Sequence, residues 1–503
     1  MQFTGIPYPN QGPENTFQFI LYETINDIQV NYLNITSRGN GSSVAGIENR
    51  QGDAGLQYKQ IDVPGNYKNL YVRYSANSSS LNTQKLYYPH VGNVSGWETE
   101  ICLINNDESQ VLTGGFKAYD DKGNLVSDVI PVSLPPFGRK EMIVSNEFIN
   151  SNKIGYIVFE SDSVEEKYSG YLKFYQEGKY RVAVPAIIDS EINETDMHIS
   201  HIASDANWWT GISLLNTSSS AKELTFEFDN GIIKKKTIDA NEHQVFYISD
   251  FLKSHENTQV QSAVIRGGKD IIGLELFGST ESSGNNYRGG VLLKDDTANI
   301  LYYPHVVNDE NWWTGIAIYN PSESMNALTI TPFKSDGTEL FSESLSVPLD
   351  AQKKYAATLK ALEFPGETAW IKIEAATPVT GFELFATNNG NQMAGFSVTD
   401  IIGKKGTFSK LEKSGWTGIA FVNIESTPAN IILTAYDNEG NLIAAEKIVL
   451  KANEKRVKMA EEFFTKENID AAAYIRFSSD KQTAAFQLNG SSDGMMLDGL
   501  PGR

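Results

Sequence analysis

The sequence predicts an all-β chain of tandem immunoglobulin-like β-sandwich modules, each of about 100 residues. Three observations predict it. A strand motif recurs as Trp208-Trp209-Thr210-Gly211-Ile212-Ser213-Leu214-Leu215-Asn216, as Trp312-Trp313-Thr314-Gly315-Ile316-Ala317-Ile318-Tyr319-Asn320 and as Trp416-Thr417-Gly418-Ile419-Ala420-Phe421-Val422-Asn423, with a diverged copy over Trp97–Asn105. Short alternating segments follow each copy at spacings of about ten residues, separated by turn residues. Helical periodicity is nearly absent. The alternative is a β-propeller, because Trp313-Thr314-Gly315-Ile316 resembles Trp370-Ile371-Lys372-Ile373 within the same module, which would let each module supply two four-stranded blades.

Strand parity explains the motif. In every copy the Thr and the Asn stand six residues apart, on one face of a period-two strand, and Ile212/Leu214, Ile316/Ile318, Ile419/Phe421 and Ile101/Leu103 share that face. That face is the expected core. Gly211, Gly315 and Gly418 bare the opposite face beneath the preceding Trp, whose ring is expected over the glycine or its cross-strand neighbour. The first copy has Glu98 and Glu100 at those two positions, so the Trp is expected to be partly exposed. The terminal Asn is expected to bond backbone where the ladder stops.

Upstream, His90, His201 and His305 precede the Trp pair by seven residues, with Leu411 in that region of the fourth copy. They read as strand-end imidazoles bonding the following loop; the competing reading is a ligand or metal histidine, and no set at metal-ligand spacing accompanies them. Downstream come turns at Tyr119–Gly123, Phe228–Gly231, Phe333–Gly337 and Tyr436–Gly440, where Gly supplies a positive φ. Their acidic residues make calcium the alternative to an ordinary turn. Single helical turns are expected at Ser145–Phe148, Ser249–Leu252, Leu359–Phe364 and Ala460–Phe464, and two or three more strands close each unit.

The organisation this implies is an extended arm (1–16), an N-terminal β region or partial module (17–84), and modules over 85–192, 193–297, 298–404 and 405–503, with Lys404-Lys405 between glycines as the clearest linker. A net charge of −20 and no basic stripe exclude nucleic acid as a partner. No apolar run is long enough for a membrane span. The single cysteine, Cys102, lies among apolar neighbours and reads as a small core residue. Met1-Gln2-Phe3-Thr4-Gly5 has neither a basic nor an apolar leader, so either the chain is cytoplasmic or its leader is absent from this sequence.

The order Tyr302-Tyr303-Pro304-His305-Val306, then Trp312–Asn320, then the Asp336-Gly337 turn and Gly381-Phe382-Glu383-Leu384-Phe385 resembles a repeat of large secreted and surface-anchored bacterial proteins, over about 85–503. The resemblance implies β-rich extracellular units, used as stalks or binding regions, and carries no catalytic residue over. Three functions compete. The first is a non-enzymatic surface or secreted structural and adhesive protein, a rod or filament whose partners are copies of itself or cell-surface components. The second is a carbohydrate-binding protein, with Trp208, Trp209, Trp312 and Trp313 as candidate ligand-binding residues. The third is a glycoside hydrolase or lyase on a propeller; no catalytic residue and no cofactor is assigned, because no nucleophile-elbow, zinc-helix or phosphate-loop motif is present.

Overall fold

The computed structural model describes residues 84–161, 167–253, 256 and 260–503, together with strand backbones between residues 2 and 74. Helices within it are single turns, such as Val144–Glu147, Ile248–Phe251 and Ala460–Phe463, and the longest is Lys466–Ala471. Apart from short 3-10 turns, the regular structure is otherwise antiparallel strand, so the molecule is all-β.

The second module shows the plan. Its outer sheet runs Met197–Ile199, Ala263–Arg266, Lys222–Phe228, Ile233–Ile238, and its inner sheet runs His243–Tyr247, Trp208–Asn216, Ile271–Ser279, Arg288–Leu293. Ile212 and Leu214 of the inner sheet meet Leu224, Phe226 and Ile265 of the outer one in a single core, as strand parity requires. In the third and fourth modules the two sheets share one 18-residue strand, Trp370–Thr387 and Tyr474–Ser491 respectively.

The modules close into a ring. The last strand of each inner sheet faces a common axis: Tyr180–Pro185, Arg288–Leu293, Met393–Ser397 and Leu497–Pro501, each packed on the next and the fourth on the first. Ala183, Gly290, Gly395 and Gly499 occupy one register there, and a Cβ on Gly290 would stand 2.9 Å from Val182 Cγ1. Small side chains let the four strands meet closely, leaving a cavity of about 10 Å³ among them. The arrangement is a four-bladed β-propeller, with one inner sheet per blade and the outer sheets at the periphery.

This corrects three expectations. The modules do not string out as a rod within the chain, because each inner sheet buries both faces, one against the preceding module and one against its own outer sheet and the following module. Each module also supplies one blade rather than two. Lys404-Lys405 is not a linker either: it lies in the strand Ile402–Phe408, which pairs with Tyr474–Ser491.

Three of the four turns read from the sequence lock these joints through their glycines, whereas a Cβ on Gly231 would meet nothing within 4 Å. Gly123, Gly337 and Gly440 have φ of 78°, 90° and 81°, and a Cβ on Gly337 or Gly440 would stand 2.3 Å from Ala452 O or 2.2 Å from Pro136 O, both in the following module. The receiving turns carry positive φ at Phe137, Asn241 and Asn453. Backbone N–H groups of His243, Lys455 and Arg139 then donate to Asp121 O, Ser335 O and Asn438 O, each at 2.9 Å. At the closing joint Phe137 packs on Tyr436 with ring centroids 4.8 Å apart, and Arg181 of the first module pairs with Glu412 and Asp498 of the fourth.

Upstream, Gln2–Ile6, Asn15–Tyr22, Asp27–Thr36 and Asn66–Tyr74 form a four-stranded sheet, and Ser43–Glu48 pairs with Gly55–Ile61. The expected arm is therefore a paired strand over Gln2–Ile6, while residues 7–14 of that arm lie outside the described residues.

Candidate functional site

The recurrent Thr and Asn are clamps. Thr210 Oγ1 donates to Ala203 O at 2.8 Å and accepts from Ala203 N at 3.1 Å, Thr99 holds Gly92 in the same way, and Thr314 Oγ1 accepts from Val307 N at 2.9 Å, which fixes the loop that carries the histidine. Asn105, Asn216 and Asn320 each donate through Nδ2 to three backbone carbonyls, and Asn423 to two. The Trp does lie over the Gly: a Cβ on Gly211, Gly315 or Gly418 would meet Cζ3 of Trp209, Trp313 or Trp416 at 3.5, 3.1 or 3.4 Å.

What these clamps position is a polar cluster at each joint. His201 Nδ1 lies 2.6 Å from Lys354 Nζ of the third module, and His305 Nδ1 lies 2.6 Å from Lys455 Nζ of the fourth. The histidines thus bond the following module rather than their own loop. Burial, reinforced by the ammonium, lowers the His201 pKa to about 3 and holds that of His305 well below its usual range. Burial also lowers Lys354 to about 8 and Lys455 to about 7. Glu275 and Glu383 complete these clusters with no hydrogen-bond partner on either oxygen; burial raises Glu275 to about 8 and Glu383 well above the carboxylate range. In the fourth module the loop position falls to Lys410, beside the buried Leu411, and Lys410 pairs with Glu100 and Glu141 of the first module. Sequence reasoning missed the partners. Arg139, His243, Lys354 and Lys455 occupy one register position, opposite Ile104, Leu215, Tyr319 and Val422, and a basic or imidazole side chain there in all four modules was the available signal.

Above these clusters the tryptophans frame grooves between modules. Strand alternation sends the two rings of a pair to opposite faces, so Trp208 and Trp209 serve different joints, as do Trp312 and Trp313. Trp208 meets Trp313 across the second joint, and Trp312 meets Trp416 across the third; all four are half-buried. At the second joint Tyr287 wedges between the rings, stacked on Trp208 at 5.8 Å and edge-on to Trp313 at 6.1 Å, and the cavity measures about 280 Å³. At the third joint Gln392 stands at the Tyr287 register position and donates to Met496 O, and the cavity widens to about 460 Å³. His305 floors it against Phe385 and Phe486, with Lys458, Met459 and Glu462 on the far wall. With Lys455 donating to Nδ1 as an ammonium, the neutral imidazole carries its proton on Nε2.

The first joint is filled differently. Trp97 packs on Tyr180 at 5.1 Å, and Arg288 lies over both Tyr180 and Trp209, at 4.6 and 5.5 Å. Beneath them Ser213 Oγ stands 2.8 Å from His243 Nε2, and His243 Nδ1 stands 2.7 Å from Asp121 Oδ1. The order is that of a nucleophile, base and orienting carboxylate. Ser213 is only 2% exposed, however, and it lines neither of the two grooves described above. Cys102, Ala317 and Ala420 stand at its position in the other modules, and burial raises the Cys102 thiol to about 12, a core residue rather than a nucleophile.

Among the described residues no group of three or more His, Cys, Asp and Glu is placed to hold a metal ion. In the first of the four turns weighed for calcium, Asp120 accepts through its carboxylate from the N–H groups of Lys122 and Asn124. Among the described residues no helix is long and apolar enough to cross a membrane.

No family model matches the chain, and no curated protein does. Among solved structures it is similar to Thermotoga maritima 1070, at 16% identity over 20% of this chain and 91% of that one, with a TM-score of 0.18. It is also similar to Bacteroides uniformis β-glucuronidase 2 in a calcium-binding mutant, at 12% identity over 47% of this chain and 26% of that one, with a TM-score of 0.11. Neither likeness reaches the level at which it bears on fold or function.

Proposed function

We propose that the chain is a non-enzymatic bacterial protein, secreted or held at the cell surface, that recognises carbohydrate in the groove between its third and fourth modules. In this reading each module is an immunoglobulin-like sandwich, and adhesion follows from glycan recognition rather than from a rod or filament. One observation carries the reading: two tryptophans from different modules flank a cavity of about 460 Å³, with the His305 ring at its floor. That volume lies within the roughly 300–1,000 Å³ of small-molecule sites, whereas the Tyr287-filled groove at the second joint lies below it. A pyranose offers flat C–H faces to the two indoles and hydroxyl oxygens to His305 Nε2–H, with Lys458 and Glu462 within the same groove for the remaining hydroxyls.

The test is a glycan array followed by tryptophan-fluorescence titration of the best binder. Trp312→Ala and Trp416→Ala are each expected to weaken binding at least tenfold. A wild-type chain that binds no glycan, or variants that bind as well as it does, would remove the proposal. Cleavage of the bound glycan on prolonged incubation would turn the reading to an enzyme.

A further inference from the structure

The four joints are built to one plan, and the first departs from it in a way that points to a ligand. At the second and third joints a lysine ammonium stands 2.6 Å from the loop histidine of the preceding module. At the closing joint the loop residue is itself a cation, Lys410, held by Glu100 and Glu141 beside Arg139. The first joint places His243 at the lysine position, so two imidazoles face one another: His90 Nδ1 is 3.4 Å from His243 Nε2. Ser213 Oγ lies 2.8 Å from His243 Nε2 and 3.5 Å from His90 Nδ1.

The second imidazole is held in one tautomer. Asp121 Oδ1, 2.7 Å from His243 Nδ1, accepts the hydrogen bond from Nδ1–H and leaves the Nε2 lone pair aimed across the joint. Gly155 makes room for the pair, since a Cβ there would stand 2.2 Å from Asp121 Oδ1 and 3.1 Å from His243 Nδ1. Two nitrogens bound to one zinc ion at about 2.0–2.1 Å in tetrahedral geometry lie roughly 3.3–3.4 Å apart, which is the separation found. A carboxylate on the far nitrogen of a ligating histidine is the usual outer partner of such a ligand. The Asp121 side chain is 68% exposed, so solvent reaches the outer side of His243, while His243 itself and Ser213 are buried.

We propose that His90 Nδ1, His243 Nε2 and Ser213 Oγ bind a divalent transition-metal ion of the zinc type across the first joint, with Asp121 orienting His243 and water completing the shell. The ion supplies at this joint the positive charge that Lys354, Lys455 and Lys410 supply at the others. Imidazole ligation selects zinc, copper or nickel over calcium and magnesium. The site is separate from the carbohydrate groove, and the inference stands whether or not a glycan binds.

The experiment uses the full chain without an affinity tag, stripped with chelator, and titrates it with zinc chloride by calorimetry, with native mass spectrometry for stoichiometry. One zinc per chain is expected, together with a rise in Tm. His243→Lys copies the neighbouring joints and is expected to fold as well as the wild type, to bind no zinc and to show no zinc-dependent Tm. His90→Ala is expected to lose binding at least 100-fold. Asp121→Asn is expected to weaken it by about 10–100-fold. A wild-type chain that binds no zinc overturns the proposal without recourse to any variant, and so does zinc binding that survives in His243→Lys.

Discussion

Arg181→Met removes the guanidinium that links the first module to the fourth. Arg181 Nη1 is 2.8 Å from Glu412 Oε2, its Nε pairs with Asp498, and the three side chains are 4%, 7% and 2% exposed. A buried ion pair adds little net stability when intact, since the Coulomb gain is spent on desolvation, but removing one partner strands the other charge at a cost of about 3–5 kcal/mol. Here two carboxylates are stranded on the same module. The substitution should therefore lower stability by about 4 kcal/mol, read as a shift in the urea transition, and should expose the closing joint to limited proteolysis. Adding Glu412→Gln and Asp498→Asn to Arg181→Met should recover most of the loss, because the stranded charges are then gone. A loss below about 1 kcal/mol, the size of an exposed pair, would refute the reasoning, as would a triple variant no more stable than the single one.

Other consequences are as specific. The Glu275 carboxyl, raised to about 8 by burial, keeps its proton while an unfolded glutamate loses it, so it penalises the native state progressively as pH rises from its unfolded pKa of about 4.5 to 8. Glu275→Gln should match the wild type in Tm near pH 4 and exceed it at pH 8. Asn320→Ala deletes three donor contacts of a buried side chain at once and should cost about 3 kcal/mol by thermal denaturation. Gly490→Ala would put a Cβ 2.1 Å from Trp416 Cε2; the half-buried indole should swing, and glycan titration should show at least tenfold weaker binding with Tm changed little.

The local logic of the repeat was legible because it resides in single strands. Parity alone put Thr, Ile and Asn on the core face and laid Trp over Gly, and the turn glycines do carry positive φ. The ring was not legible. Its closure rests on pairs such as Arg139 with Asn438 and Arg181 with Glu412, hundreds of residues apart, and no strand period encodes which module follows which around an axis. The site was half legible for the same reason. The sequence singled out Trp208, Trp209, Trp312 and Trp313 as pairs, but adjacent residues on a strand face opposite ways, so the structure pairs Trp312 with Trp416 and Trp208 with Trp313. It also read the histidines as local, because Lys354 and Lys455 approach from the following module.

Solution small-angle scattering tests the closed ring most directly, since both grooves and the His90–His243 pair exist only where modules meet. A compact 503-residue chain should have a radius of gyration of about 23 Å, whereas four such modules in a row would give about 40 Å. A value near the smaller figure, unchanged on dilution, is what the account predicts. A value near the larger one would contradict it, and with it every site assigned to a joint.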